Sequence, residues 1–416
     1  MKYFVLLGDG MADRPVPELH DKTPLQAASI PNADRLAARS LCGMVQTIPD
    51  GMEPGSGPAN MAVMGYDPAR YYTGRSPIEA VSLGIDMQPE DVVFRCNLVT
   101  LSRNGNSEYK DRQMADYSAG EITTAEAAEL IATLEAGLSS ETVHFYAGRS
   151  YRHCMVWKNG PADLILTPPH DISGKSISGY LPQGDGSAFL LDLMTRSEVL
   201  LRDHPVNLRR AELGKNTADS IWLWGQGTRP QLPSFESVYG KTGAVISAVD
   251  LVFGIGRLIG LELIEVPGAT GNLNTDFNGK ANAAIRAFGS GKDFVYLHVE
   301  APDECGHQGD PPGKVMAIER IDADILGPVY DWLFENNKRT GEEFRILFLP
   351  DHPTPLSLRT HTSEPVPFMM YASDTPEGNG ASAYNEVEAS GTGLFFDSGP
   401  FLFRFFIDPG RSVPIC

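Results

Sequence analysis

Three short apolar segments, each followed at once by acidic residues, most strongly constrain the fold of this 416-residue chain. They span residues 2–7, 293–299 and 344–349, are rich in β-branched or aromatic side chains, and show no polar alternation. Such runs are typical of parallel strands covered by helices on both sheet faces. Functional groups in open α/β sheets gather at the carboxyl ends of the strands. We therefore predict an α/β fold with a mostly parallel sheet and a site at one of its edges.

Helical patterns separate these strands. Apolar periodicity predicts helices over residues 33–40, 124–138, 242–259, 280–288 and 314–334. Gly327-Pro328 is expected to kink or break the last of them, because proline lacks the N–H that a helix interior needs. The alternation of strands and helices supports the α/β class.

The middle of the chain differs from its flanks. Residues 75–235 contain shorter strand candidates, at 92–101 and 153–157, and clusters of proline and glycine. The residue types that bind metals gather in the flanks instead. We predict a discontinuous metal-binding, phosphatase-like domain formed by residues 1–74 and 236–416. Residues 75–235 are predicted to form a smaller inserted α+β domain that binds the substrate or acts as a lid.

Charge and cysteine content narrow the class of protein. The formal net charge is −19, from 34 basic and 53 acidic residues, which argues against partners such as nucleic acid or an anionic membrane surface. The five cysteines are widely spaced without a CxxC pair, as in proteins of reducing compartments. No apolar run resembles a signal peptide or a membrane span. We expect a cytoplasmic protein with a small-molecule substrate; the sequence indicates no oligomeric state.

Seven residues form the candidate site in the flanking segments: Asp9, Ser56, Asp303, His307, Asp351, His352 and His361. Mixed carboxylate and imidazole groups suit divalent manganese or zinc, which accept both oxygen and nitrogen ligands. A single histidine in a loop is more often a solvated side chain than a metal ligand. The joint placement of these residues after predicted strands favours a shared metal site.

Ser56 is the candidate nucleophile. It lies between Gly55 and Gly57, which permit a sharp turn, and Pro58 favours the first turn of a helix. The serine hydroxyl is therefore predicted at a helix N-terminus, where backbone N–H groups favour phosphate. Serine needs a base or a metal to become reactive. The alternative is that Ser56 only caps the helix.

Long segments of the chain resemble one known family. They include LLGDGMADRP, GSGPANMAVMGYDPARYYTGRSPIEA, HVEAPDECGHQGD and LPDHPTPLSLRTHTSEPVPFMMY. Over nearly its whole length the chain resembles the archaeal type of 2,3-bisphosphoglycerate-independent phosphoglycerate mutase, within the alkaline phosphatase superfamily. The resemblance implies an alkaline-phosphatase-like sheet. It also implies transfer of a phosphoryl group from 3-phosphoglycerate to a serine and its return to give 2-phosphoglycerate.

The resemblance further implies two divalent metal ions. Asp9, Ser56, Asp351 and His352 would bind one of them. The second would be bound by the remaining members of the candidate site, which are Asp303, His307 and His361. Manganese is the expected metal, with magnesium, zinc and cobalt as alternatives.

One departure from the family leaves the substrate open. The family usually continues the serine with Asp-Thr-Ala, whereas this chain continues Ser56 with Gly57-Pro58-Ala59. An alternative function is therefore a homoserine kinase-like phosphotransferase of threonine biosynthesis on the same fold. A phosphatase or phosphodiesterase and a non-catalytic metal-binding scaffold are further alternatives.

Basic residues of the inserted region are the candidates for binding the organic part of the substrate. Arginine is favoured because its planar guanidinium matches phosphate and carboxylate groups. The candidates are Arg149, Arg152, His153, His170 and Lys175. For each of them a solvated surface charge, or a turn-stabilising role for His170, is the competing interpretation.

Overall fold

The computed structural model describes residues 1–102, 108–375 and 378–410. They form two compact units. Unit 1 consists of Met1–Tyr72 and Leu232–Cys416, and unit 2 consists of Thr73–Gln231. The boundaries predicted from the sequence, after residues 74 and 235, differ from these by two and four residues. Cys416, one of the five cysteines, lies outside the described residues.

The described residues form thirteen strands: β1 (Lys2–Gly8), β2 (Leu41–Val45), β3 (Val92–Ser102), β4 (Gln113–Asp116), β5 (Val143–Arg149), β6 (Arg152–Trp157), β7 (Ser220–Thr228), β8 (Gly243–Ile246), β9 (Glu262–Ile264), β10 (Phe294–Val299), β11 (Phe344–Leu349), β12 (Val366–Ala372) and β13 (Phe395–Phe396). The helices are α1 (Pro24–Ala27), α2 (Pro31–Ala37), α3 (Ser56–Val63), α4 (Pro68–Tyr71), α5 (Arg75–Ser82), α6 (Thr124–Leu138), α7 (Ser187–Arg202), α8 (Pro205–Glu212), α9 (Phe235–Tyr239), α10 (Asp250–Leu258), α11 (Phe277–Gly289), α12 (Ala301–Gln308), α13 (Pro311–Ile321), α14 (Gly327–Thr340), α15 (Glu386–Gly391) and α16 (Gly399–Ile407).

An eight-stranded sheet forms the centre of unit 1, in the order β13-β2-β12-β11-β1-β10-β8-β9. Seven strands run in one direction, and β12 is antiparallel to both of its neighbours. The predicted mostly parallel α/β sheet is thereby confirmed. The three strands predicted first, β1, β10 and β11, are adjacent, with β1 in the middle. Their carboxyl ends therefore meet at one sheet edge.

Helices cover both faces of this sheet, which explains why the strands lack polar alternation. Phe4 of β1 contacts Phe288 of α11 on one face, with ring centroids 6.2 Å apart. Its neighbour Tyr3 contacts Phe406 of α16 on the other face, at 5.6 Å. Every residue of β1 is buried. Full burial of one large apolar side chain contributes about 1.5–3 kcal/mol to folding.

One predicted helix is wrong in its first part. The predicted helix over residues 242–259 begins instead with strand β8, and only Asp250–Leu258 is helical. Residues Gly243–Ile246 pair in parallel with β10, so sheet pairing outweighs the helical periodicity of this segment. In the predicted helix over residues 314–334, a π-helical segment, Asp322–Leu326, lies directly before Gly327-Pro328. The regular α-helix is therefore interrupted there, as expected.

Unit 2 is built around a five-stranded antiparallel sheet. The long strand β3 pairs with β7 on one side and with β6 and then β4 on the other, and β5 continues beyond β6. Side chains such as Phe94 of β3 form a buried core with Leu130 of α6 and Leu193 of α7. Helix α6 has the predicted bounds because Thr123 and Glu126 form a capping box at its start.

Among the residues that the structure describes, no helix is both long and apolar enough to span a bilayer. The four described cysteines, Cys42, Cys96, Cys154 and Cys305, are buried free thiols.

Candidate functional site

The first of two clusters at the carboxyl edge of the unit 1 sheet surrounds the ring of His352. Its Nε2 atom lies 3.2 Å from Ser56 Oγ, 3.5 Å from Asp9 Oδ1 and 3.5 Å from Asp351 Oδ2. Asp9 follows β1, and the pair Asp351-His352 follows β11, so adjacent parallel strands place these groups together. Four side chains from three distant parts of the sequence therefore direct donor atoms toward one another.

The second cluster contains Asp303, His307 and His361. Asp303 and His307 are four residues apart on α12, which places them on the same face of the helix. His307 Nε2 lies 3.2 Å from Asp303 Oδ2 and 3.0 Å from His361 Nε2. His307 Nδ1 lies 3.0 Å from Arg359 O, to which it donates, and Nε2 is the ring nitrogen that faces Asp303 and His361. Nε2 would bind a cation after losing its proton.

The close approach of the two clusters depends on Gly10. Its φ is +60°, and an added Cβ would lie 2.6 Å from Asp303 Oδ1 and 2.8 Å from Asp303 Cα. Only glycine allows the turn after β1 to lie this close to the first turn of α12. The backbone N–H of Gly10 also donates to Asp351 Oδ1 at 3.1 Å. The turn after β1 thus orients Asp351 as well as carrying Asp9.

Ser56 is the first residue of α3, as the sequence predicts. Gly55 precedes it at the N-cap position, and the Ser56 side chain makes no capping hydrogen bond there. The interpretation of Ser56 as a simple helix cap therefore finds no support, because its hydroxyl contacts His352 instead. At Gly57 an added Cβ would lie 2.6 Å from the hydroxyl oxygen of Tyr72. The Tyr72 ring therefore packs where a side chain at position 57 would begin.

The first cluster has the electrostatics of a cation site. Burial, together with the charges of Asp351 and Asp303, raises the pKa of Asp9 well above its ordinary value. Asp9 Oδ1 is buried and has no hydrogen-bond partner among the described residues. Asp9, Asp351 and His352 each offer a ligand atom, all within 4.8 Å of one another. Crowded buried carboxylates beside an imidazole fit a divalent cation, which would supply the missing positive charge.

The electrostatics of the second cluster differ. The hydrogen bond to Asp303 raises the pKa of His307 to about 9, although burial opposes this. Burial raises the pKa of Asp303, but hydrogen bonds from His307 and His361 outweigh it and hold that pKa well below its ordinary value. Asp303, His352 and His361 also offer ligand atoms within 4.8 Å of one another. This donor set likewise suits a divalent cation.

Several buried polar residues that support the site were missed by the sequence analysis. Asn60 Nδ2 donates to Asp351 Oδ2 at 2.7 Å, and Asn60 Oδ1 accepts from Tyr296 at 2.7 Å. Thr354 donates to Asp303, and His298 contacts Asp9. Tyr296 and His298 belong to the segment interpreted as uniformly apolar. Two polar-tipped side chains two residues apart in a buried strand could have indicated this role, because such residues share one sheet face.

Comparisons with known proteins agree with this arrangement. The family model described as 2,3-bisphosphoglycerate-independent phosphoglycerate mutase matches residues 37–207. The chain is 48% identical over 408 residues to a Geobacter sulfurreducens protein named as a probable mutase of this kind, covering 98% of this chain and 100% of the relative. It is 50% identical over 390 residues to the Methanosarcina barkeri enzyme of that name, covering 94% and 95%.

The chain belongs to the 2,3-bisphosphoglycerate-independent phosphoglycerate mutase family.

Solved structures support the same assignment. A protein from Pyrococcus horikoshii superposes with a TM-score of 0.79 at 27% identity, covering 99% of both chains. The cofactor-independent phosphoglycerate mutase of Thermoplasma acidophilum superposes with a TM-score of 0.64 at 25% identity, covering 99% of this chain and all of the other.

The residues predicted to bind the substrate in this mutase-family chain all lie in unit 2. Arg149 and Arg152 are exposed and face each other across the β5–β6 hairpin. The Arg152 guanidinium lies 5.2 Å from the ring centroid of Tyr151. The ring of His170 is 6.0 Å from Tyr117, which in turn contacts Tyr151 at 5.7 Å. Tyrosines therefore connect Arg152 and His170 in one polar and aromatic surface.

The other two predicted residues, His153 and Lys175, differ in burial. His153 is only 3% exposed, accepts a hydrogen bond at Nδ1 from the Gly148 N–H, and burial lowers its pKa to about 3. Lys175 is exposed, donates to Asp171 O and lies 5.9 Å from the ring centroid of Tyr180. The burial of His153 leaves it out of reach of a ligand on the exposed face.

The sequence analysis missed Arg95 and Trp224 of the same surface, and the buried Asn97 that contacts Trp224. Arg95 of β3 pairs with Glu79 and lies 4.9 Å from the ring centroid of Trp224. Trp224 Nε1 donates to Asn97 Oδ1 at 3.0 Å, and its ring lies 5.3 Å from that of His170. Arg95 and Asn97 alternate with the core residues of β3, and this alternation was the available indication.

Proposed function

We propose that this protein interconverts 3-phosphoglycerate and 2-phosphoglycerate, with Ser56 accepting the phosphoryl group and returning it. The observation that carries the proposal is the position of the Ser56 hydroxyl. It lies at the first residue of α3, 3.2 Å from His352 Nε2 and beside the buried carboxylates of Asp9 and Asp351. Membership of the mutase family, and the names of relatives about 50% identical over most of the chain, support the same reaction.

We propose that two divalent cations complete the site. Asp9, Ser56, Asp351 and His352 would hold one. Asp303, His307 and His361 would hold the other, and manganese is the metal we expect. When bound, the cations would lower the pKa of the serine hydroxyl and neutralise charge on the phosphoryl oxygens.

The proposed reaction consists of two phosphoryl transfers, and Ser56 takes part in both. In the first half, Ser56 loses its hydroxyl proton and Oγ bonds to phosphorus, while the bond to the C3 oxygen of the substrate breaks and that oxygen takes up a proton. In the second half, the C2 hydroxyl loses its proton and its oxygen bonds to phosphorus, while the bond between phosphorus and Ser56 Oγ breaks and Oγ takes up a proton. The N-terminus of α3 favours the phosphate because its backbone N–H groups and dipole attract anions. A covalent intermediate removes the need for a phosphorylated cofactor.

We further propose that unit 2 binds the carboxylate and hydroxyl groups of the substrate. The polar and aromatic surface that contains Arg152 and His170 supports this proposal, because arginine offers paired donors for a carboxylate. Arg149 and Lys175 would add positive charge. Arg95 is the additional candidate, although Glu79 already pairs with it. His153 would support the hairpin from within rather than contact the substrate.

The proposed function is tested by incubating manganese-loaded protein with 3-phosphoglycerate and following 2-phosphoglycerate by ³¹P NMR. We expect conversion by the wild type and a loss of several orders of magnitude in Ser56→Ala. Ser40→Ala is the matched control, because Ser40 is a buried serine whose hydroxyl donates to Leu36 O, outside both clusters. Equal activity of Ser56→Ala and wild type would overturn the proposal.

Parallel assays separate the alternatives. ATP with homoserine tests for a homoserine kinase, and p-nitrophenyl phosphate tests for a phosphatase. None of the comparisons favours the kinase alternative. Formation of phosphohomoserine without any 2-phosphoglycerate would replace the mutase assignment.

A further inference from the structure

A buried histidine lies directly behind Asp9. His298, on β10, is fully buried, and its Nε2 lies 2.9 Å from Asp9 Oδ2. On the other side of the ring, its Nδ1 lies 3.2 Å from Ser247 Oγ. The imidazole therefore bridges the loop after β8 and the turn after β1.

The hydrogen-bond donors along this bridge have one consistent direction. The Val249 N–H donates to Ser247 Oγ at 3.0 Å, so the serine oxygen acts as an acceptor there. An ionised carboxylate oxygen can only accept, so His298 Nε2 carries the ring proton and donates it to Asp9 Oδ2. In a neutral imidazole the other nitrogen, Nδ1, is then an acceptor, and the Ser247 hydroxyl donates to it. Ser247 thus stabilises the tautomer in which His298 holds the carboxylate.

Because of this contact, the two carboxylate oxygens of Asp9 have different surroundings. Oδ2 is occupied by His298, whereas Oδ1 faces His352 Nε2 at 3.5 Å and has no hydrogen-bond partner among the described residues. The carboxylate cannot rotate about its last bond without breaking the hydrogen bond to His298. One oxygen is therefore held for structure, and the other is presented to the cluster around Ser56.

The backbone of His298 is anchored as well. Lys280 of α11 is fully buried, and its ammonium group donates to His298 O at 3.0 Å. Two residues earlier on the same face of β10, Tyr296 donates to Asn60, which in turn donates to Asp351. One strand therefore supports both carboxylates of the first cluster, directly for Asp9 and through Asn60 for Asp351.

We propose that His298 is a positioning residue that fixes Asp9 Oδ1 for cation binding in the first cluster, with Ser247 hydrogen-bonded to its other ring nitrogen. The proposal rests on the proposed function in one respect, the assignment of Asp9 as a metal ligand. His298 acts through Asp9, the member of the first cluster that its ring contacts. Groups that orient a metal ligand in this way typically change metal affinity by 10–100-fold.

The test is calorimetric titration of metal-free protein with Mn²⁺. In the wild type we expect two binding events. His298→Leu, which keeps the volume but removes the donor, should weaken one event by about 10–100-fold and leave the other within about threefold. His298→Gln, whose side-chain amide can donate from nearly the same place, should recover most of the lost affinity. Ser40→Ala controls for the loss of a buried hydrogen bond outside the clusters and should bind like the wild type.

Combining His298→Leu with a second substitution, His307→Ala, identifies the affected site. His307→Ala removes a ligand of the second cluster only, so the remaining event should belong to the first cluster. Adding His298→Leu should weaken that remaining event by the same factor. Unchanged Mn²⁺ affinity in His298→Leu, or an equal loss in the leucine and glutamine variants, would overturn the proposal.

The titration uses no substrate, so its outcome is independent of the mutase assay. A protein that binds two Mn²⁺ ions but forms no 2-phosphoglycerate would overturn the proposed function alone. An active wild type whose His298→Leu variant binds both ions normally would overturn only the role of His298.

Discussion

Asn60 donates a hydrogen bond of 2.7 Å from its side-chain amide to Asp351 Oδ2. The same amide donates to Ser56 O at 2.9 Å, so one residue connects the start of α3 to a carboxylate that follows β11. Its amide oxygen accepts from Tyr296 at 2.7 Å, which fixes the orientation of the amide group. The position of the serine relative to the carboxylates is therefore set by a buried hydrogen-bond network.

Asn60→Ala tests this connection. The substitution leaves Asp351 Oδ2 and the Tyr296 hydroxyl without their buried partner, so we expect a loss of about 1–3 kcal/mol in the free energy of unfolding. Because Ser56 and Asp351 are no longer tied together, kcat should fall more than tenfold with little change in KM. Urea denaturation and steady-state kinetics measure these effects. A variant with wild-type kcat would show that the network is not needed for catalysis.

Gly10→Ala tests the close approach of the turn after β1 to the first turn of α12. The φ of +60° and the short distance to Asp303 Cα should together cost roughly 2–5 kcal/mol. Gly51→Ala is the matched control, since Gly51 has a φ of +82° but no atom within 4 Å of an added Cβ. It should show only the backbone strain, about 1–2 kcal/mol. Equal melting temperatures for the two variants would contradict the proposed contact.

Acid should destabilise unit 2 through His153. Burial lowers its pKa to about 3, below the ordinary value of 6.5, so the folded state holds the ring neutral. Its contribution to stability is fully present above pH 6.5 and is lost as pH falls toward 3, at about 1.4 kcal/mol per pH unit. His153→Asn retains an acceptor for the Gly148 N–H but does not titrate. The free energy of unfolding of wild type and variant is measured by tryptophan fluorescence at each pH. The difference between the two proteins should change by about 2 kcal/mol between pH 7 and pH 5. A difference that does not change with pH would argue against a neutral buried ring.

Removal of metal should lower stability as well as activity. Without a cation, burial and the charges of Asp351 and Asp303 disfavour the ionised form of Asp9, whose pKa is raised well above its ordinary value. Binding of one Mn²⁺ ion, at a free concentration of about 100 times its Kd, would add about 2.7 kcal/mol to the free energy of unfolding. We expect chelator treatment to lower Tm by several degrees and Mn²⁺ to restore it. A Tm that does not respond to chelator and metal would indicate that the clusters bind no cation.

Much of the fold and of the candidate site could be predicted from the sequence, for identifiable physical reasons. Buried parallel strands lack polar alternation and end at a common edge, so β1, β10 and β11 and the residues that follow them were predictable. The helix predicted over residues 242–259 was wrong in its first part, because the four residues of β8 pair with β10, and this pairing outweighs their helical periodicity.

Supporting residues were harder to predict than the candidate ligands. Asn60, Thr354 and His298 act through partners more than 50 residues away in sequence, which periodicity cannot show. In unit 2, charge alone indicated Arg152 and His153 equally. The strand places them on opposite faces, one exposed and the other buried, and only the register of β6 distinguishes them.

The most direct measurement is mass spectrometry of protein quenched during turnover of 3-phosphoglycerate in the presence of Mn²⁺. We predict that the peptide containing Ser56 carries one added phosphoryl group, and that this group is absent from protein quenched without substrate. Formation of 2-phosphoglycerate at the wild-type rate by Ser56→Ala, with no phosphorylated peptide at any time, would contradict the assignment of Ser56 as the residue that carries the phosphoryl group.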